Sequence, residues 1–254
     1  MRYSLCIEPL FLDVPIQDRV KIAKDIGYDA VEFWNPFAHD IEELQKAIAK
    51  SDIPVSVMAL ADNWGVRLSE DFENVEKAAQ EAVSAGKDLG CSCFIGLSGD
   101  ISSKYDTEKG LLISNLQRLS ELFEKNDVTL VLEPLNSTHD HKGYYLDSSH
   151  LGFEIIRRVN SPAVKVLFDI YHMQIMEGNI IETVTKNIGH IGHFHSAGVP
   201  GRSELSSGEL NYAQIIPAID KTGYNKYFGL EYWPRSEDHL SSARKELEFL
   251  RSCV

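Results

Sequence analysis

Basic residues are in short supply: 25 Lys and Arg stand against 38 Asp and Glu in a chain of 254 residues, a formal net charge of −13. A surface weighted in this way repels phosphate backbones and anionic lipid, so neither nucleic acid nor a membrane is expected as a partner. Cysteine is scarce too. Of the four present, two form the short C-S-C of Cys91 and Cys93, which fits neither a zinc pattern nor a disulfide framework. Reduced, buried thiols in a cytoplasmic protein are the expectation. No apolar run approaches the length of about 18 residues that spans a bilayer, and the opening M-R-Y-S-L-C-I-E-P-L lacks a signal peptide's apolar stretch. There is no Pro/Ser/Gly linker, low-complexity tract or charge block to divide the chain, so residues 1–254 are expected to form a single domain.

What is present is alternation. Short strand-like runs recur about every 25 to 40 residues with helical patterns between them, the signature of βαβ units and a parallel sheet. The first four strands are expected at Tyr3 to Glu8, Ala30 to Trp34, Pro54 to Leu60 and Cys93 to Leu97. Helices are expected to follow near Ile16 to Ile26, Ile41 to Ser51, Asp71 to Leu89 and Thr107 to Asn126. Four more pairs follow, with helices near Ser148 to Val159, Ile180 to Asn187, Tyr212 to Thr222 and Glu237 to Leu250. Gly27 and Gly90 fall just past helix ends, where a residue free to take positive φ is wanted. Eight strand–helix pairs in a chain of this length predict an α/β fold, a single (β/α)8 TIM barrel, over a doubly wound open sheet.

The last four strands end alike. T-L-V-L-E-P-L-N carries Glu133, V-K-V-L-F-D-I-Y-H-M carries Asp169, I-G-H-F-H-S-A-G carries His195 and Y-F-G-L-E-Y-W-P carries Glu231. These residues are separated by 36, 26 and 36 positions, about one βα unit each. A charge at the end of a buried strand is costly unless it is paired or metal-bound. In a barrel the C-terminal strand ends converge on one point, so Glu133, Asp169, His195 and Glu231 are expected to form a divalent-metal set. Oxygen-rich coordination with one imidazole suits Mn²⁺, with Mg²⁺ or Co²⁺ as alternatives, better than a structural zinc.

The same segments carry a family resemblance. L-E-P-L-N, D-I-Y-H-M-Q-I-M-E-G-N, V-P-G-R-S-E with G-E-L-N-Y, and G-L-E-Y-W-P resemble the hydroxypyruvate isomerase family, one of the xylose-isomerase-like sugar isomerase and epimerase barrels. The resemblance implies a metal-dependent isomerase or epimerase acting on a small sugar or hydroxy-keto acid, such as hydroxypyruvate. It implies Glu133 and Glu231 as the acid/base pair that also binds metal, Asp169 and His195 as completing ligands, and His172 and Arg202 as holders of substrate oxygens. At two positions the pattern is mixed. His195 matches the ketose 3-epimerases where hydroxypyruvate isomerases usually have glutamine, and His139 stands where the epimerases carry a glutamate that meets substrate. Barrels of this kind commonly associate, so a homo-oligomer is compatible with the resemblance.

The chemistry itself needs a proton removed from a carbon beside a carbonyl and returned to a neighbouring position. A cation stabilises the resulting enediolate, and a carboxylate serves as base once burial and a neighbouring carboxylate raise its pKa. Two glutamates on opposite sides of the substrate are expected to abstract and return the proton. Trp34, Trp64 and Phe11 are candidates to wall the site, and Glu8 or Glu32 to touch a substrate hydroxyl. His39, His141, His150, His190 and His193 are expected to be structural or at the surface, with His193 on the same strand side as His195. Glu237, Asp238 and Glu246 are expected on the solvated face of the last helix. A nuclease of related fold, with three metals and a basic groove, is disfavoured by the charge, and a keto-inositol isomerase or dehydratase would use the same enolisation.

Overall fold

Strands covered by helices on one side and by the barrel interior on the other read as nearly unbroken apolar runs. The computed structural model describes residues 1–61, 65–101 and 105–254. Among these, β1 (Arg2–Cys6), β2 (Ala30–Phe33), β3 (Val55–Ala59), β4 (Cys93–Gly96), β5 (Thr129–Leu132), β6 (Val164–Asp169), β7 (Ile191–Ser196) and β8 (Tyr227–Leu230) pair in sequence order into a closed parallel barrel. Leu5 lies opposite Leu230 where β8 returns to β1. The barrel expected from the alternation is the barrel that forms.

Helices α1 (Ile16–Ile26), α2 (Ile41–Ser51), α3 (Phe72–Leu89), α4 (Tyr105–Lys125) and α5 (Ser149–Val159) alternate with the first six strands. After them come α6 (Ile170–Met176), α7 (Ile180–Asn187), α8 (Tyr212–Asp220) and α9 (His239–Ser252). Side-chain caps set several starts: Asp40 accepts from the N–H groups of Glu42 and Glu43, and Ser148 from that of Leu151. Gly27 and Gly90 end their helices in the left-handed conformation, as expected. Two features differ from the sequence reading. The short α6 springs directly from β6, with Asp169 as its N-cap. On α9, Asp238 caps the first turn, and Glu246 is buried against the loop after β7 rather than solvated.

The barrel interior is divided. Val57, Ile95, Val131 and Leu167, from β3 to β6, pack as an apolar cluster separate from the larger core under the helices. On the arc formed by β7, β8, β1 and β2 the interior is polar: Glu32 meets Ser4 and His193 there. All four cysteines are free thiols; Cys6 and Cys91 are buried as expected, while Cys93 and Cys253 are only half-buried. Among the described residues no helix is long and apolar enough to cross a membrane. Trp64 lies outside the described residues.

Candidate metal and proton-transfer site

β5, β6, β7 and β8 deliver Glu133, Asp169, His195 and Glu231 to one end of the barrel. β-pairing sets the depths, with Asp169 beside His195, and His195 beside Gly229 two residues below Glu231. All four are 1–6% exposed, and each offers a ligand atom within 4.8 Å of the others. His195 Nδ1 stands 3.2 Å from Glu133 Oε1 and 3.5 Å from Glu231 Oε2. Three carboxylates so close and so dry cannot all carry charge unaided. Burial raises the Asp169 carboxyl to about 7, with Arg202 opposing and Glu231 and Glu133 adding to the rise. The donor set therefore fits a divalent cation: hard oxygens, one imidazole, and an excess of negative charge that a dication would relieve.

Arg202 lies in the loop after β7, with a left-handed φ of 51°. It donates to Glu231 and approaches Asp169 Oδ2 at 3.8 Å, while its guanidinium stacks 4.8 Å over the Trp233 ring. Trp34 donates its indole N–H to Glu231 as well. Burial works against charge on Glu231, but Arg202, then His195 and the Trp34 hydrogen bond, hold its carboxyl below the ordinary range. Burial likewise opposes charge on His195, which Glu231, Glu133 and Glu32 nonetheless push well upward.

His172 occupies the first turn of α6 and is fully buried. Its Nδ1 accepts the backbone N–H of Asn136 at 3.2 Å and faces the Asn136 amide nitrogen at 2.7 Å. The hydrogen therefore sits on Nε2, which faces Asp169 Oδ2 at 3.5 Å without a hydrogen bond. Burial, followed by Arg202, His141 and His195, pushes the His172 imidazole well below its usual value, so it is a neutral donor.

Above these groups opens a cavity of about 190 Å³. Its polar lining among the described residues is Glu133, Glu231, Arg202 and His141; Trp34, Trp233, Leu60, Ile95, Leu97 and Leu135 make much of the apolar wall. Asp169, His195 and His172 lie beneath it. His139 does not reach it: that residue is exposed on a turn whose N–H groups bond to Asn136 Oδ1, and His141 lines the cavity in its place. Phe11 is buried away from the cavity, its N–H bonded to His239, and Glu8 is occupied by the Asn35 N–H. Glu32 lies below the cluster, bonded to His193 and His195. Sequence reasoning placed His193 on the correct side of β7 but offered Glu32 to a substrate hydroxyl, whereas Glu32 pairs with His193 and His195 and does not line the cavity.

A closed parallel barrel with three carboxylates and an imidazole gathered at the C-terminal strand ends belongs to the class of barrels that could hold a catalytic metal. The chain belongs to the xylose isomerase-like TIM barrel family, whose sequence profile matches residues 20–253. It is 30% identical over 245 residues to hydroxypyruvate isomerase of Escherichia coli (strain K12), covering 93% of this chain and 95% of that one. With 2-oxo-tetronate isomerase of Pectobacterium atrosepticum it shares 27% identity, over 97% of this chain and 98% of the other. Its fold superposes with a TM-score of 0.90 on the crystal structure of an AP endonuclease, family 2, from Brucella melitensis, at 24% identity and 99% coverage of both chains. That last likeness concerns the fold alone.

Proposed function

We propose that this chain, acting as one catalytic unit over its whole length, is a divalent-metal-dependent isomerase of small hydroxy-carbonyl acids, of the hydroxypyruvate to tartronate semialdehyde type. The observation that carries the reading is the meeting of Glu133, Asp169, His195 and Glu231, all buried, within 4.8 Å. The names of the full-length relatives point to the same substrate class. A net charge of −13 disfavours a nucleic acid, and an acidic substrate would rely on the local positive charge of Arg202.

Glu133, Asp169, His195 and Glu231 would hold the ion, Mn²⁺ first by donor chemistry. Bound there, it supplies Lewis acidity worth several kcal/mol to the developing enediolate. The chain's own groups do the rest. Glu133 and Glu231 both line the cavity, so a substrate carbon between them meets two carboxylates. One removes the proton from C3 of hydroxypyruvate and a proton is returned at C2, while the C3 hydroxyl proton passes to the C2 oxygen, giving the aldehyde at C3 and the hydroxyl at C2. Arg202 holds substrate oxygens, His172 Nε2–H faces Asp169 from beneath the cavity, and Trp34 and Trp233 keep water from one side. The histidine at position 195 keeps a ketose 3-epimerase as the second reading.

The test is proton exchange. With Mn²⁺ in D₂O, hydroxypyruvate is expected to gain deuterium beside its carbonyl, read by NMR, faster than any ketohexose in a panel. Exchange at C3 of a ketohexose alone would establish the epimerase instead. Glu133→Gln and Glu231→Gln are each expected to slow turnover by about 10²–10⁴-fold with the fold retained. Full activity in either would remove that residue from the mechanism.

A further inference from the structure

We propose that Glu32 is a positioning residue for the metal site: its carboxylate, from the barrel interior below, fixes His195 in the ring orientation and tautomer that present Nδ1 to the ion. The inference rests on the reading of the four donors as a metal site. Glu32 neither lines the cavity nor belongs to that four-donor set, and it is 1% exposed.

An ionised carboxylate is acceptor-only and offers about four lone-pair sites. Four donors surround this one. Ser4 of β1 donates its hydroxyl, Ser56 of β3 its hydroxyl at 3.1 Å, and His193 and His195 of β7 face it through Nε2 at 2.7 and 3.1 Å. Three of these meet Oε1 and His195 alone meets Oε2; because the carboxylate can only accept, the nitrogen of His195 that faces it carries the hydrogen. In the neutral ring the lone pair then sits on Nδ1, the atom turned toward Glu133 and Glu231. A carboxylate behind a ligating imidazole fixes its orientation and raises its basicity.

β8 makes room for this arrangement. A Cβ added at Gly229 would come within 2.5 and 2.8 Å of the two Glu32 oxygens and 2.9 Å of the Phe194 carbonyl oxygen. Any side chain there must displace the carboxylate. Glu32, His193 and His195 are themselves close enough to suggest a second metal set. The separations of 2.7 and 3.1 Å are hydrogen bonds, however, so the two imidazole nitrogens that would bind an ion there already carry hydrogens.

The experiment combines spectroscopy on the unmodified protein with calorimetry on variants. In protein labelled with ¹⁵N-histidine and loaded with Zn²⁺ as a diamagnetic probe, His195 is expected to keep its hydrogen on Nε2 and to show the shift of a metal-bound nitrogen at Nδ1. Glu32→Gln, whose amide cannot accept from both imidazoles, is expected to weaken Mn²⁺ binding by about 10–100-fold. Gly229→Ala, which adds one methyl group away from the ion, is expected to weaken it likewise. The inference is overturned if folded Glu32→Gln binds Mn²⁺ as tightly as the unmodified protein, or if His195 shows the Nδ1–H tautomer or coordinates through Nε2. The tautomer measurement requires no variant to fold. An unmodified protein that binds no Mn²⁺ at all would instead sink the metal reading itself.

Discussion

Arg202 meets Glu231 through its guanidinium, approaches Asp169 within 3.8 Å and lies over the Trp233 face. A planar fork stacked in this way recognises a carboxylate in two places at once, which an ammonium cannot do. Arg202→Ala is expected to raise KM for hydroxypyruvate by about 10–100-fold, the worth of a charge-assisted hydrogen bond, and to leave neutral ketoses much less affected. Arg202→Lys should not restore it. The same change alters the pH profile. After burial, which opposes charge, Arg202 is the largest influence on Glu231 and lowers its pKa. Without it the Glu231 carboxyl rises, so the acid limb of the kcat/KM profile is expected to move to higher pH; an unmoved limb would show that Glu231 does not set it.

Single elements also carry function beyond their geometry. β6 passes into α6 with no loop between them, because Asp169 ends the strand and caps the helix with one oxygen, accepting from Tyr171 at 2.7 Å and His172 at 3.2 Å. Its other oxygen is left to face the cluster. One carboxylate thus presents an oxygen to the cluster and caps the helix that places His172. The loop between β7 and α8, which carries Arg202, is pinned from α9: Glu246 accepts the Ser206 hydroxyl at 2.5 Å and its N–H at 2.9 Å. Removing a buried acceptor leaves those donors unsatisfied. Glu246→Ala is expected to cost about 1–3 kcal/mol in denaturant unfolding. It should raise KM much more than it weakens Mn²⁺ binding, since the four donors stand on strand ends and meet the loop through Arg202. Lost Mn²⁺ affinity would mean that the loop shapes the metal site as well.

At the scale of the whole molecule, the crowded carboxylates act on stability. Asp169 titrates near 7 in the folded chain against an ordinary 3.8. The folded state therefore holds this proton more tightly than the unfolded state does. The contribution of that group is fully present below its unfolded value and is lost as pH rises through about 7. A bound dication replaces the proton as the neutralising charge, and ligands must deprotonate to receive it. Mn²⁺ at about 100 times its Kd is expected to stabilise the fold by about 2.7 kcal/mol, or roughly 5–10 °C in Tm for a chain of this size. At a fixed Mn²⁺ concentration the gain should be larger at pH 8 than at pH 6, and EDTA should abolish it. A gain that does not depend on pH would show that proton and metal do not compete at Asp169.

Alternation of apolar runs with amphipathic stretches was enough to determine the barrel, because each βα unit is specified by local periodicity and short connections leave little choice of topology. The spacing of Glu133, Asp169, His195 and Glu231 by about one unit each made the donor set legible as well. Pairing across the interior was not legible. Glu32 meets His193 and His195 over 161 and 163 residues, a contact set by strand register and barrel closure, and no local pattern encodes either. The same reason explains why His141 rather than His139 reaches the cavity, since the turn held by Asn136 decides which side chain points inward. Glu246 looked solvated on helical spacing and is buried because a loop folds over it. Local physics determined which elements form; which side chains meet depended on closing the cylinder, where a shift of one residue exchanges the inside face for the outside.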